Sequence, residues 1–422
     1  NIISMNLLSR KYLFLIMGLL ILIGLELRLV FIDLPLWYDE AQSVLIAKMT
    51  FPFGISNYLQ NIDLQHTPLY FYILHFWIAL KILSLIFGLL SIPYSYKLAK
   101  HFIEEKFALI APLLITFNTF NIVYSTEVRM YSIVLFMTIL SMNYLMEYIK
   151  SDSKKALLKL TLVNLLMPYT FIGAFVFVLA QIISTIIIYA KSKNLKEYLL
   201  SNGILGILLL PYFITLLDFS LKRASFLLSH VTDFSLANIF GIFQNFLAPD
   251  FGTIYWATLN PFYINLHTLL FVYIPLFIAI YIIYLAVKSS SQNVRLLSLI
   301  TFITLLVFII FAINKTIVLA PRYVIFVSPL LLILLTCGLE NAKKSFAIFF
   351  VIYYLIFSTY FVFTDKTVKA LKTNALMSSV NVINSLNLSN KDMVIMPFAS
   401  SVISHYMDEN SKNRSNTRVK NL

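Results

Sequence analysis

Charge is what this sequence has least of. Only 12% of its 422 residues are Asp, Glu, Lys or Arg. That is about half the share a water-soluble domain carries, which excludes an ordinary soluble enzyme and a polar disordered chain. Cysteine is almost absent. The single one, Cys337, lies in an apolar run and provides neither a disulfide framework nor a thiolate metal site. The first long loop holds no Asp-x-Asp pair. Nothing in the sequence therefore demands a metal, no cofactor is expected, and divalent-metal dependence stays open.

Acidic residues number 19 against 32 basic ones, a net charge of +13. Nearly all the lysines sit in short loops between apolar runs. A bilayer imposes that pattern, with Lys and Arg retained on the cytoplasmic side, so no nucleic-acid partner is expected. Arginine is scarce, eight residues against twenty-four lysines.

What is plentiful is apolar. Hydrophobic residues make up 60% of the chain, with 37 Phe and 25 Tyr, and mean hydropathy is +0.85. Repeated apolar stretches of roughly 20 residues define an all-α polytopic membrane protein. Arg10-Lys11 precede the first run, and no small-residue cleavage signal follows it, so it reads as a retained anchor. Placing the lysine clusters inside gives eleven spans: 11–32, 82–99, 107–125, 129–149, 157–170, 171–190, 199–219, 264–287, 296–313, 319–338 and 345–362. The N-terminus is then cytoplasmic and the C-terminus external. Residues 68–99 are too long for one crossing and tight for two. The charge bias favours one crossing, with 68–81 a shallow external helix.

The long, chemically mixed segments then lie outside: 33–81, the turn at Glu127-Arg129, 220–263 and the tail. The tail, 363–422, reads as a small separate α/β unit after a membrane domain of 1–362. TVKALKTNALMSSVNVINSL has helical spacing and KDMVIMPF reads as a buried strand.

Chemistry concentrates at the external edges. Asp39 and Glu40 follow Trp37-Tyr38 at the start of an interfacial helix. They are either first-turn acids stabilised by free N–H groups or a catalytic pair. His66 precedes Pro68 at the next helix start, as a cap or an anion ligand; His75 faces an apolar helix and reads as packing. Glu127 and Arg129 stand between two spans, as a structural ion pair or an anion clamp. Arg322 and Tyr323 open the tenth span. Arginine's planar fork grips phosphate at two points where lysine does not. A carboxylate can take a proton from an attacking hydroxyl, and arginines can stabilise charge on a departing phosphate.

The blocks LWYDEAQ, HTPLYFYILHFW, LSLIFGLLSIPYSYKLAKHF, YSTEVRMYS and PRYVIFVSPLLLIL resemble the polyprenyl-phosphate-sugar-dependent glycosyltransferases of the GT-C type. That superfamily includes protein O-mannosyltransferases and the aminoarabinose transferases of lipid A. The resemblance covers roughly 10–190 well and 315–340 moderately. It implies a GT-C-like fold with external juxtamembrane helices. Asp39 falls on the family's catalytic aspartate, with Glu40 beside it. Arg322, Arg129, His66 and Lys81 become candidates for the donor phosphate, and Glu127, Tyr131 and Tyr323 for its support. Where the family has an external arginine, the compressed stretch ALKILSL keeps only Lys81, and Phe171 stands where a histidine often does.

The resemblance implies an inverting transferase that moves a sugar from a polyprenyl-phosphate carrier to a lipid, glycan or protein hydroxyl. The site would face the exterior of a bacterial inner membrane, in contact with membrane lipids. A lipid-linked polysaccharide polymerase and a lipid or glycan transporter are the competing classes. A transporter calls for polar residues near the midplane and internal repeats, and the sequence has few of the first and no clear instance of the second.

Overall fold

The computed structural model describes residues 2–62, 66–77, 80–192, 194–228, 235–249, 269–288, 291–314 and 319–385. Their regular secondary structure is entirely helical. A long helix, α1 (Ile2–Leu29), leads into three short ones, α2 (Tyr38–Ala47), α3 (Phe53–Asn61) and α4 (Pro68–His75). Then come α5 (Leu80–Ala99), the fragments α6 (Glu105–Ala108), α7 (Ile110–Phe117) and α8 (Thr119–Tyr124), and α9 (Tyr131–Ser151). α10 (Lys154–Thr170), α11 (Ala174–Tyr189), α12 (Leu195–Leu228) and α13 (Leu236–Leu247) follow. The last are α14 (Ile274–Lys288), α15 (Gln292–Ile313), α16 (Val327–Asn341) and α17 (Lys344–Ser385).

Polar contacts sort the helix ends into two sets. At one end Lys97 meets Glu147 at 3.4 Å, Lys100 meets Glu105 at 2.9 Å and Lys154 meets Glu197 at 3.8 Å. The Glu104 amide there donates to Glu340 at 3.0 Å. At the other end Arg28 bonds Ser125 and Ser84 bonds the Glu127 carbonyl. Helices α5 and α9, of 20 and 21 residues, connect the two ends over about 30 Å. The lysine-rich loops thus gather at one end and Glu127-Arg129 at the other.

The short helices α2, α3 and α4 pack together at that second end. Pro68 starts α4 because its missing N–H costs nothing at a first helical position. The helix has eight residues, about 12 Å, too short to cross a membrane. His75 ends it with Nδ1 2.6 Å from the Ala47 carbonyl oxygen, stacked on Phe51.

Two expectations are corrected. Eleven transmembrane helices are not found: among the described residues seven are long and apolar enough to cross, within α1, α5, α9, α12, residues 269–288, α15 and α17. Four expected spans are short or broken. The 107–125 stretch becomes α6 to α8 because Asn118 starts a new helix, its Oδ1 accepting from the Asn121 amide at 2.9 Å. Its Nδ2 meanwhile donates to the Tyr354 hydroxyl at 2.9 Å and the Phe246 carbonyl at 3.2 Å. Helices α10, α11 and α16 have 17, 16 and 15 residues.

The small α/β tail is the second correction. Helix α17 runs unbroken through the boundary placed at 363, as far as Ser385, and no strand occurs among the described residues. Lys366 on it meets Asp33 at 3.4 Å. The strand expected over 391–398 lies outside the described residues.

Helices in lipid gain little from the hydrophobic effect and associate through close packing and hydrogen bonds. Both are present. A Cβ at Gly338 would fall on the Ile282 carbonyl, so glycine lets α16 approach α14. Helices α9, α10 and α11 share a closed polar triangle. Ser141 donates to Asn164 at 2.6 Å, Asn164 to Gln181 at 2.8 Å and Gln181 back to Ser141 at 2.8 Å. All three are buried. Gln181→Leu strands two of these groups, so it is expected to cost about 1–3 kcal/mol and lower the melting temperature in detergent. An unchanged melting curve contradicts that role.

Candidate active site

The motif WYDEAQS folds into the first turn of α2. Trp37 is extended and the helix begins at Tyr38, so both acids sit where free N–H groups favour negative charge. Neighbouring helical residues point about 100° apart, and the two carboxylates diverge. Glu40 is buried, 1% exposed. Its Oε2 accepts from the Trp37 amide at 3.2 Å and its Oε1 from the Val128 amide at 2.8 Å. It fastens α2 to the 125–130 turn. Asp39 stays half-buried. Its carbonyl accepts from the Ser43 hydroxyl at 2.9 Å and from Arg129 Nη1 at 3.4 Å.

Arg129 is 3% exposed. Its Nη1 also donates to Ser43 Oγ at 3.1 Å, and its Nη2 lies 2.7 Å from His66 Nε2. Arginine has only donors, so His66 accepts at Nε2 and its ring proton sits on Nδ1. The guanidinium lies 5.6 Å from the Tyr131 ring centre. Burial opposes its charge, but Tyr131 and Asp39 outweigh burial and hold Arg129 above its ordinary value.

Arg322 arrives from the other half of the chain, on a 3-10 turn, Pro321–Val324. Its guanidinium lies against two rings, 5.8 Å from Trp37 and 5.0 Å from Tyr323, and donates to the Tyr323 hydroxyl at 3.2 Å. Burial again opposes the charge. Tyr131, Tyr124, Tyr323 and then Asp39 together raise it above the ordinary value. The same carboxylate therefore acts on both arginines. Six buried donors of this region have no hydrogen-bond partner among the described residues: Trp37 Nε1, Thr67 Oγ1, Tyr70 Oη, Arg129 Nε, Tyr131 Oη and Arg322 Nε. Buried polar groups are normally paired, so this concentration marks a place suited to an anion.

The remaining candidates separate. Tyr131 and Glu127 are buried here, and Ser84 Oγ donates to the carbonyls of Glu127 at 2.5 Å and Arg129 at 3.3 Å. Lys81 is engaged elsewhere. Its ammonium donates to the carbonyls of Phe31, Ile32 and Leu34, at 3.4, 3.2 and 2.5 Å, and so anchors the chain leaving α1. Phe171 packs edge-on against Tyr131, ring centres 6.1 Å apart.

Three contributors were not singled out from sequence: Ser43, Ser84 and Arg28. Arg28 is 1% exposed. Its Nε donates to Ser125 at 2.8 Å and its Nη1 to the Gly24 carbonyl at 2.9 Å. A Cβ at Gly88 would overlap Ser125 and come within 3.2 Å of Arg28 Nε, so glycine makes room for this brace. An arginine inside an apolar run was the available signal. Among the described residues no three of His, Cys, Asp and Glu gather as metal ligands.

Solved structures share the architecture. ArnT from Cupriavidus metallidurans in the apo state matches with a TM-score of 0.59 and 11% identity, over 98% of this chain and 90% of that one. The same protein bound to undecaprenyl phosphate matches with a TM-score of 0.59 and 11% identity, over 97% and 89%. The archaeal oligosaccharyltransferase AglB from Archaeoglobus fulgidus, in complex with an inhibitory peptide and a dolichol-phosphate, gives 0.58 and 12% identity, over 94% and 64%. The chain shares the fold of these membrane proteins over nearly its whole length. No family model matches it, and no curated protein matches it in sequence.

Glu40→Ala leaves the Trp37 and Val128 amides unpaired and is expected to cost about 2–3 kcal/mol. Asp39→Ala removes a half-buried group and is expected to cost under about 1 kcal/mol. Chemical unfolding of both variants in detergent checks the contrast. Equal losses contradict the division of roles between the two acids.

Proposed function

We propose that the protein is an inverting glycosyltransferase that moves a sugar from a polyprenyl-phosphate carrier to an acceptor hydroxyl. The observation that carries the reading is one half-buried carboxylate, Asp39, acting on two arginines, the buried Arg129 and the half-buried Arg322. They lie beside unpartnered donors at one end of a GT-C-type membrane fold. The reading is supported by the relative solved with undecaprenyl phosphate bound. The lysine-rich end would face the cytoplasm and the site the exterior, in a bacterial inner membrane.

In this reaction the acceptor O–H gives its proton to Asp39 as the oxygen attacks the anomeric carbon. The new C–O bond forms on one face while the bond to the carrier phosphate breaks on the other, inverting the configuration. One carboxylate suffices, because a double displacement requires a separate nucleophile. The leaving phosphate takes the bond's electron pair and is met by Arg322 and Arg129. His66 accepts from Arg129 and fixes the orientation of its guanidinium. Glu40 positions the turn without touching the reacting atoms, and Lys81 steadies the loop before Asp39.

The test is transfer by the purified protein in lipid, from a panel of labelled polyprenyl-phosphate sugars to a membrane extract, with and without a divalent cation. Asp39→Asn is expected to fold normally and lose about 10²–10⁴-fold in rate, the contribution of a general base. A folded mutant with full transfer contradicts the assignment. Arg322→Ala is expected to lower kcat/KM for the donor by roughly 10²–10³-fold. Unchanged donor dependence contradicts the phosphate clamp.

A further inference from the structure

The end of the molecule opposite the candidate active site carries a second feature. Where α5, α9, α11 and α15 end or begin, an open cleft of about 370 Å³ is lined by Lys100, His101, Ile149, Lys150, Tyr189 and Asn293, among others. Among the described residues no carboxylate lines it. Its frame is built. Tyr189 donates to Asn293 Oδ1 at 2.7 Å, and Asn293 Nδ2 donates to the His101 carbonyl at 2.9 Å. Gln292 Nε2 donates to the Ile188 carbonyl at 2.9 Å.

Three groups give the cleft its chemistry. Lys100 is shared with Glu105, but Lys150 is exposed and makes no ion pair among the described residues. Burial, then Lys97 and Lys150, push the His101 imidazole down to about 4. It is neutral at pH 7, and its Nε2 is buried with no partner among the described residues. A second cleft of about 420 Å³ adjoins the first through Tyr189 and Gln292 and adds Ile187 and Lys191. It opens onto the outer face of α11, where Ile183, Ile186 and Ile187 are 43%, 37% and 58% exposed. Phosphate-seeking charge thus lies beside an apolar helix face of the kind that borders acyl chains.

We propose that this double cleft binds the phosphate headgroup of an anionic phospholipid in the leaflet away from the active site. Lys150 and Lys191 hold the charge, and the chains run along Ile183 to Ile187. A free phosphate ion shares the headgroup chemistry but has no use for the isoleucine face, and a zwitterionic lipid has no use for the unpaired lysines.

The test uses the full-length protein in detergent, with short-chain phosphatidylglycerol, short-chain phosphatidylcholine and inorganic phosphate titrated separately by native mass spectrometry and thermal shift. The expected result is selective retention of phosphatidylglycerol. Affinity should fall about fivefold in Lys150→Gln and roughly thirtyfold in Lys150→Gln/Lys191→Gln, the product of two near-surface charges. Both lysines are exposed, and glutamine keeps much of the aliphatic stem, so folding is preserved; an unchanged melting curve without lipid verifies this. Lys150→Arg should bind as the wild type does. Equal retention of phosphatidylcholine, equal binding of inorganic phosphate, or an undiminished double variant each overturns the proposal. None of these readouts depends on transfer activity.

Discussion

The buried Glu40 carboxylate governs how this site is assembled. Glu40 is withdrawn from water and has to be satisfied inside the protein, because an unpaired buried charge is very costly. Two backbone amides do so, one from its own helix start and one from the 125–130 turn, 88 residues further along the chain. Meeting that requirement brings Asp39, one residue away, into the field of Arg129. Ser43, one helical turn on, then bonds both the Asp39 carbonyl and the Arg129 guanidinium.

The turn is braced from the other side as well. Ser84 on α5 holds its carbonyls and Arg28 on α1 holds Ser125. Contacts of this kind suit a protein in lipid, where close packing and buried hydrogen bonds join helices. The same low-polarity surroundings strengthen each charge interaction within the site. Donors fixed in advance, such as the Arg129 guanidinium between His66 and Ser43, need no rearrangement when charge develops near them. Arg322, steadied by Trp37 and Tyr323, brings a second fixed cation from the distant 3-10 turn.

Much of this was legible in the sequence, for identifiable reasons. Lysine placement marks helix ends in a membrane protein, and the loops with Lys97, Lys100 and Lys154 do gather at one end. Asp39, Arg129, His66 and Arg322 were named because charged groups at a membrane edge are costly without a role. What each acid does was not legible. Asp39 and Glu40 are adjacent and chemically alike, and only the position of Val128 separates them. Nor was it legible that Lys81, a candidate phosphate ligand by its position, donates to three carbonyls of the chain leaving α1. The break before α8 depends on Tyr354 and Phe246 meeting Asn118, contacts across more than a hundred residues. The composition turns polar near 363, which suggests a new unit, whereas the helix continues past that point.

The most direct measurement is equilibrium binding of a polyprenyl phosphate lacking its sugar to the wild type, Asp39→Asn and Glu40→Ala under one set of conditions. Loss of the Asp39 charge leaves both arginines in place, so that variant should bind at least as tightly as the wild type. Loss of Glu40 releases the turn that carries Arg129, so that variant, verified as folded, should bind about tenfold or more weakly, a difference of about 1.4 kcal/mol. Wild-type affinity in folded Glu40→Ala would contradict the claim that the buried bridge builds the phosphate site.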